Sequence, residues 1–528
     1  MENETRNCQN CKKDFTIESE DFNFYEKIKV PSPTFCPDCR RQRRMAWRND
    51  FTFYNRKCDM CGRGIISLYH KSKPLTVYCN KCWWSDKWDP KSYAKDFDFS
   101  RSFFDQFNEL QKSVPILSLM NDNDIGSVNC EYTQNEAYAR NCYMVSMAWK
   151  NEDCMYSYGI SGPNAVDIVD SMDIFSSERI YESIFLNKSY DCRFCFYSQN
   201  LVSCSFCYDC RNCQDCFMCV GLRDGQYMYQ NKKYSKEEYS EIVSKYELNT
   251  YSGQERAKKE FNEFKLKTIA DDHFMINCVN SVGDALLNCN NAKYCYTARR
   301  LHNVKYFENG NDIKDGYDML VGGENEMCYE GITPDNDRLA LFTIFSYKCS
   351  DITYCEHCFG SEDLFGCLGL RQSQYCILNK QYSKKDYFEL KNKIIEHMNK
   401  IGEYGEFFPV KYSHFGYNET IAEDNYPLEK GIAIKKELKW FDDIQFTTGR
   451  GTIDMKDLPE NIDDVLDSIT KEILTCEETG RNYIITKQEL NFYKKLRIPL
   501  PRKCFFARHQ ERIKKRHKRN FIENSLKL

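Results

Sequence analysis

Cysteine spacing sets the first constraint on this chain. Cys130, Cys142 and Cys154 are 12 apart, and two interleaved rows follow, Cys192, Cys204, Cys210, Cys216 and Cys195, Cys207, Cys213, Cys219, each stepping 12, 6 and 6. Cys349, Cys355 and Cys367 continue at 6 and 12. An α-helix turns every 3.6 residues, so its side chains drift off a six-residue period, whereas an extended segment keeps one face at any even spacing. The pattern predicts a mainly β protein with a β-solenoid (β-helix-like) body, in which each turn buries its inner face against the next.

A longer repeat lies within that body. The run CVGLRDGQYMYQNKKYSKEEY from Cys219 returns as CLGLRQSQYCILNKQYSKKDY from Cys367, at an offset of 148. In each copy a serine, Ser235 or Ser383, precedes an acidic residue three positions on, Glu238 or Asp386, which is a helix-start signature. Each half of the body is therefore expected to finish in a helix, the first reaching about Ile269 and the second ending near Gly402.

The ends of the chain carry a second duplication, at an offset of 468: Cys8 falls on Cys476, Phe24-Tyr25 on Phe492-Tyr493, Pro31 and Pro33 on Pro499 and Pro501, and Cys36 on Cys504. Cys11, however, falls on Thr479 and Cys39 on Ala507. The hydrophobic and turn pattern has outlived half of the cysteines. The chain then divides into a first cysteine module at 1–56, a second at 57–95, a helical linker at 96–124 with its helix around Phe103 to Gln111, body halves at 125–270 and 271–402, a connector at 403–470, and the degenerate module at 471–528.

The first eight cysteines form four C-x2-C pairs. Cys8, Cys11, Cys36 and Cys39 have 24 residues between the pairs, and Cys58, Cys61, Cys79 and Cys82 have 17. Two tight pairs place four thiolates around a tetrahedral ion, which suits zinc, two per chain. Iron–sulfur ligation is the competing reading, and no spacing here follows the compact ferredoxin runs. Residues 7–44, with FNFYEKIKVPSP and FCPDCRRQRR, resemble the zinc-ribbon domain of treble-clef type. More widely, RKCDMCGRGIISLY, VYCNKCWWSDKWD, FGYNET and IPLPRKC make the chain similar to an uncharacterised family of cysteine-rich proteins of candidate-phyla bacteria. That resemblance implies zinc at the first eight cysteines, and no activity.

In a treble clef the second cysteine pair opens a helix, so Arg40, Arg41, Arg43, Arg44 and Arg48 would project from it, with Arg40, Arg43, Arg44 and Arg48 along one side. Such guanidinium groups suit phosphate contacts, and Trp47 among them could stack on a base. The degenerate copy keeps Arg508, Arg512, Lys514, Lys515, Arg516, Lys518 and Arg519. A solvated basic face is the plainer reading. Cations kept where ligands were lost favour RNA or a ribonucleoprotein as partner, and the chain has no helix-turn-helix or classical finger signature. The alternative is a protein–protein scaffold that uses the aromatic solenoid surface, with zinc purely structural.

The central cysteines fit a tight interior as small soft hydrophobes. A metal or redox role for Cys204, Cys207, Cys210, Cys213, Cys216 and Cys219 stays open. Residues three apart on a strand point to opposite sides, so burying both rows requires corners between them.

No phosphate loop, dinucleotide glycine motif, nucleophile elbow or zinc-hydrolase helix occurs, and His70 and His357 read as surface or core residues. A carbohydrate-active β-helix enzyme is the third reading, with Asp167, Asp170 and Asp173 or Asp312, Asp315 and Asp318 lining a groove, although acids at such spacing are usually solvent-facing. The opening MENETRN has no charged-then-apolar leader, and apolar runs such as Leu339 to Phe345 are short, so a cytoplasmic location without a membrane partner is expected. Net charge is only −4, with basic clusters at both ends, so partners would be met locally rather than by the whole molecule.

Overall fold

A computed structural model describes residues 2–122, 126–271, 273–519 and 521. Strand outweighs helix, 36% to 25%, so the mainly β expectation is met. Two large sheets dominate, one of eleven strands within Gln134–Lys233 and one of ten within Met275–Gln381. Within each sheet the pairing is parallel, apart from a short antiparallel hairpin at its end, Gln226–Tyr229 with Lys232–Lys233 and Gln374–Ile377 with Lys380–Gln381.

The register explains the cysteine periods. Met172 pairs with Ile184, Ile184 with Phe196, Cys195 with Cys207, and Cys207 with Cys219, so each residue lies beside the one 12 further on. In the first sheet the step widens to 14 where Gly162 and Pro163 are inserted, as in Tyr158 with Met172. Five of its strands, Tyr158–Val169, Met172–Phe175, Ile184–Asn187, Tyr190–Val202 and Glu178–Tyr181, pair in a closed ring.

Closure depends on an unusual backbone. Across both sheets nearly every third residue has a positive φ; one run is Asp191, Phe194, Tyr197, Asn200, Ser203, Phe206 and Asp209, all between 49° and 57°. This conformation is costly for most L-residues and least so for Asn and Asp. Asn and Asp hold many of these corners, and their side chains run in ladders between successive turns: Asn129 Nδ2 donates to Asn141 Oδ1 (2.9 Å) and Asn141 Nδ2 to Asp153 Oδ1 (3.1 Å). Asn280, Asn291, Asn303 and Asp315 repeat the device in the second sheet.

Each left-handed residue turns the chain, so the side chain after it points inward again. Residues three apart therefore share one interior, and both cysteine rows are buried. Ser177, Ser183, Ser189 and Ser198 sit on the same lattice. Ser183 Oγ donates to the Tyr181 carbonyl (2.9 Å), and Cys195 Sγ lies 3.4 Å from the Arg193 carbonyl in the equivalent place. A narrow interior that offers a carbonyl two residues back favours small side chains with a hydroxyl or thiol, which accounts for much of the cysteine content.

The chain divides into two compact units, residues 1–120, 275–442 and 518–528, and residues 121–274 and 443–517. The first cysteine module thus belongs with the second sheet, and residues 471–517 of the degenerate C-terminal module with the first sheet, while Lys518 and Arg519 fall in the unit of the second sheet. In the first unit, outer aromatics Tyr317, Tyr329, Phe342, Tyr354 and Phe365 are covered by Phe24 and Tyr25 of the first module and by Phe103 and Phe104 of the helix Phe103–Ser113. In the second, Tyr181 and Phe206 meet Phe492, Tyr493 and Phe261. The aromatic face expected to receive partners is thus largely occupied by the chain itself.

Both serine caps form: Glu238 N–H donates to Ser235 Oγ and Asp386 N–H to Ser383 Oγ, each at 3.2 Å. The first helix does not run unbroken to Ile269. It stops at Ser244 and restarts as Tyr251–Lys267, because Glu247 turns left-handed (φ 50°) and Thr250 recaps the chain through its hydroxyl. No described helix is long and apolar enough to cross a membrane.

One interior acid carries a pH prediction. Burial pushes the Asp337 carboxyl up to about 7, although it accepts hydrogen bonds from Ser346 Oγ and the Cys349 amide. A carboxyl raised above its unfolded value of about 3.9 stabilises the fold fully below that value, and the contribution is lost as pH rises through 7. The unfolding free energy from urea titration should therefore fall between pH 5 and pH 8, by on the order of 2–4 kcal/mol from this residue. Asp337→Asn should flatten that slope, and an unchanged slope would show that Asp337 is not the titrating group.

Candidate metal centres and the arginine contacts

Two antiparallel hairpins, Glu4–Asn7 with Asp14–Ile17 and Tyr54–Lys57 with Gly64–Ser67, hold the first pair of each tetracysteine group, and their registers are the same at an offset of 50. In each the first cysteine's amide and carbonyl close the turn, Cys8 N–H to Lys13 O (2.9 Å) and Cys58 N–H to Arg63 O (2.8 Å). Gly62, at φ 73°, supplies the left-handed residue that the second turn needs, where the first uses Lys12. The second pair opens a helix: Cys36 caps Pro37–Met45 and Cys79 caps Asn80–Trp83.

In each group the four sulfurs lie within 4.8 Å of one another. Amide groups already point at them. Cys36 N–H donates to Cys8 Sγ (3.2 Å), Cys79 N–H to Cys58 Sγ (3.3 Å), and Asn10 Nδ2 to Cys39 Sγ (3.2 Å). Such donors favour thiolate over thiol. The Cys39 thiol is brought down to about 5, first by its contact with Cys36, while Cys36 is pushed up. Burial pushes Cys58 up, but the amides of Cys61, Cys79 and Met60 outweigh it and bring it to about 7. Both groups suit zinc as closed four-sulfur sites that leave no position for substrate.

At the C-terminal module the same four places are Cys476, Thr479, Cys504 and Ala507. Cys476 N–H still donates to Arg481 O (2.8 Å), and Thr479 Oγ1 lies 3.6 Å from Cys504 Sγ, matching Cys11 to Cys36 at 3.6 Å. A hydroxyl has taken the place of a sulfur within an unchanged turn.

The arginines expected to meet phosphate are buried. Arg40 Nη2 lies 2.8 Å from Asp318, Arg44 bridges Asp318 (3.2 Å) and Glu330 (2.7 Å), and Arg43 bridges Glu330 (2.9 Å) and Glu406 (2.8 Å). Arg41 pairs with Glu308 and hydrogen-bonds Tyr426, and Arg48 pairs with Asp50 at 3.0 Å. Trp47, 2% exposed, packs against Phe407, Phe408 and His414, so its ring is not on a surface.

The degenerate module repeats the arrangement. Arg508 and Arg512 each lie 2.9 Å from Asp170, and Arg512 lies 3.8 Å from Glu182, which Lys515 also approaches at 3.8 Å. Residue by residue, Arg40 and Arg44 correspond to Arg508 and Arg512 at 468, and Asp318 and Glu330 to Asp170 and Glu182 at 148. Arg40 stands over Tyr306 at 5.2 Å and Arg508 over Tyr156 at 5.0 Å. Burial works against the charge of Arg40 and Arg508, yet their carboxylate partners hold both well above the ordinary value. Arg519 is tied to Glu308 (2.6 Å), Arg516 is half-buried, and Lys514, Lys515 and Lys518 are exposed.

The acids singled out for a groove are engaged elsewhere. Asp170 and Asp318 hold the arginines, Asp167 pairs with Lys495, Asp312 with Arg300 and Asp315 with Lys27, and Asp173 is buried. His70 is buried against Tyr54 and Phe441. His357 belongs to a cluster that sequence could not show, where Glu356 accepts from Gln111 Nε2 (2.6 Å) and meets His414 Nε2 (2.9 Å) and His357 Nδ1 (3.5 Å). The one sequence signal that bears on these contacts is that both partners are kept in the repeats, Asp170 with Asp318 at 148 and Arg40 with Arg508 at 468.

No family model, curated protein or solved structure matches the chain. The metal assignment therefore stands on cysteine geometry alone.

Two outcomes are expected. Cys8→Ser and Cys58→Ser should each remove one zinc equivalent, read by elemental analysis. Asp318→Asn, which strands Arg40 and Arg44 in the interior, should destabilise the first unit by about 3–5 kcal/mol, measured by urea unfolding. A change below about 1 kcal/mol would mean that these pairs behave like solvated surface bridges.

Proposed function

We propose that the chain is a zinc-stabilised β-solenoid scaffold that works by presenting surface to other proteins, with zinc purely structural in its two N-terminal modules of treble-clef type. The twelve-residue register and the left-handed corners support reading both sheets as solenoid turns. The observation that carries the functional reading is the burial of the module arginines on solenoid carboxylates. It gives the basic helices an internal task, and so explains why the degenerate module kept cations after losing ligands. Surface for a partner remains on the first solenoid, where Val128, Tyr138 and Trp149 are 64%, 60% and 47% exposed on neighbouring turns. Exposed apolar side chains grouped in this way mark interaction sites more often than isolated ones do.

Docking on RNA or a ribonucleoprotein is the second reading, favoured by the exposed Lys514, Lys515 and Lys518. One pair of variants separates the two. Replacing Arg40, Arg43, Arg44 and Arg48 with Gln should lower the unfolding midpoint and leave retention of single-stranded RNA at physiological salt unchanged. Replacing Lys514, Lys515 and Lys518 with Gln should leave stability unchanged. A fall in RNA affinity and in its salt slope there would establish the RNA reading, because a phosphate that no longer meets a cation keeps its counterion on binding.

A further inference from the structure

We propose a third metal centre, formed by Cys130, Glu136 and Cys142 in the interior of the first sheet and suited to zinc. Cys130 and Cys142 occupy the same inward place one turn apart, and Glu136 stands on the inward lattice midway between them in sequence. The two sulfurs and a carboxylate oxygen lie within 4.8 Å of one another, and all three residues are buried. Tetrahedral zinc with sulfur at about 2.3 Å asks for sulfurs roughly 3.8 Å apart, which lies inside that limit.

Glu136 is out of keeping with its surroundings. The neighbouring inward positions are Thr133, Ala139, Val145 and Ala148, yet here a carboxylate is 3% exposed. Its Oε1 accepts from Asn151 Nδ2 at 3.2 Å, and its Oε2 has no hydrogen-bond partner among the described residues. Asn151, also 3% exposed, has no hydrogen-bond partner for its Oδ1 among the described residues, while its Nδ2 lies 3.1 Å from Cys142 Sγ. A buried carboxylate oxygen and a buried amide oxygen, both unsatisfied beside two thiols, cost several kcal/mol in order-of-magnitude terms unless a cation takes them up. Half a turn of the Asn151 amide exchanges its oxygen and nitrogen and offers a fourth ligand. Two thiolates with two oxygens select zinc over magnesium or calcium. The remaining inward cysteines, Cys192 to Cys219, form no comparable group among the described residues.

The test is zinc stoichiometry of the full chain, purified reduced and refilled from the chelated state with excess zinc. Three equivalents are expected, and Glu136→Gln and Cys142→Ser should each bind one fewer with an unchanged far-ultraviolet spectrum. Serine already occupies inward positions such as Ser177 and Ser183, and glutamine keeps the shape of Glu136, so both variants should fold. If Cys142→Ser does not fold, Glu136→Gln decides alone. Cys207→Ser, deeper in the same interior, should keep all three equivalents. Two equivalents in the unaltered chain, or three in Glu136→Gln, overturns the proposal.

Discussion

A left-handed residue at every third position is the constraint on which the rest of this structure depends. A straight strand alternates its faces, and one of 25 residues such as His302–Glu326 would run about 80 Å. Here the positive-φ residue resets the alternation, so every third side chain meets the same interior and the chain passes beside itself every twelve residues. From that follow the narrow core, its preference for Cys, Ser, Ala and branched aliphatics, and the ladders of Asn and Asp outside. Even the corner acids Asp170 and Asp318 owe their place to it, since a residue tolerant of this backbone is also one that can receive an arginine.

The arginine–carboxylate contacts show what the terminal modules are for within each unit. Buried ion pairs are weak evidence for net stability, because desolvation opposes the attraction, but removing one partner is severe and misdocking is penalised equally. They therefore fix where a small module sits on a repetitive surface on which one turn resembles the next. The pairs of Arg40 and Arg44 with Asp318 and Glu330 recur in the other copy as Arg508 and Arg512 with Asp170 and Glu182, whereas only two of the four cysteines recur.

Much of this was legible in the sequence. The period of six excluded helices, the serine caps announced Lys236–Ser244 and Lys384–Lys400, and the paired cysteines announced two four-cysteine clusters. The corners were not legible, because Phe, Tyr and Met stand at a share of them beside the commoner Asn and Asp, so two rows three apart looked as though they faced opposite ways. Nor was the fate of the arginines. Helical spacing places Arg40, Arg43, Arg44 and Arg48 on one side, but it says nothing of whether water or Asp318 lies opposite. The break before Tyr251 was hidden because Glu247 is no glycine and gives no sign of a left-handed turn.

The pairing of modules with sheets has a consequence for how the chain is made. The first module leaves the ribosome long before residues 306–344, on which it docks, exist. At roughly 5–20 residues per second it waits on the order of tens of seconds. During that time it has little core of its own, and a metal cross-link is a means for so small a unit to stay folded alone. The C-terminal module emerges after residues 156–182 have long been complete, and can fold directly against them. A four-cysteine site able to hold an ion suits the module that arrives early, and the one that arrives late can do without it.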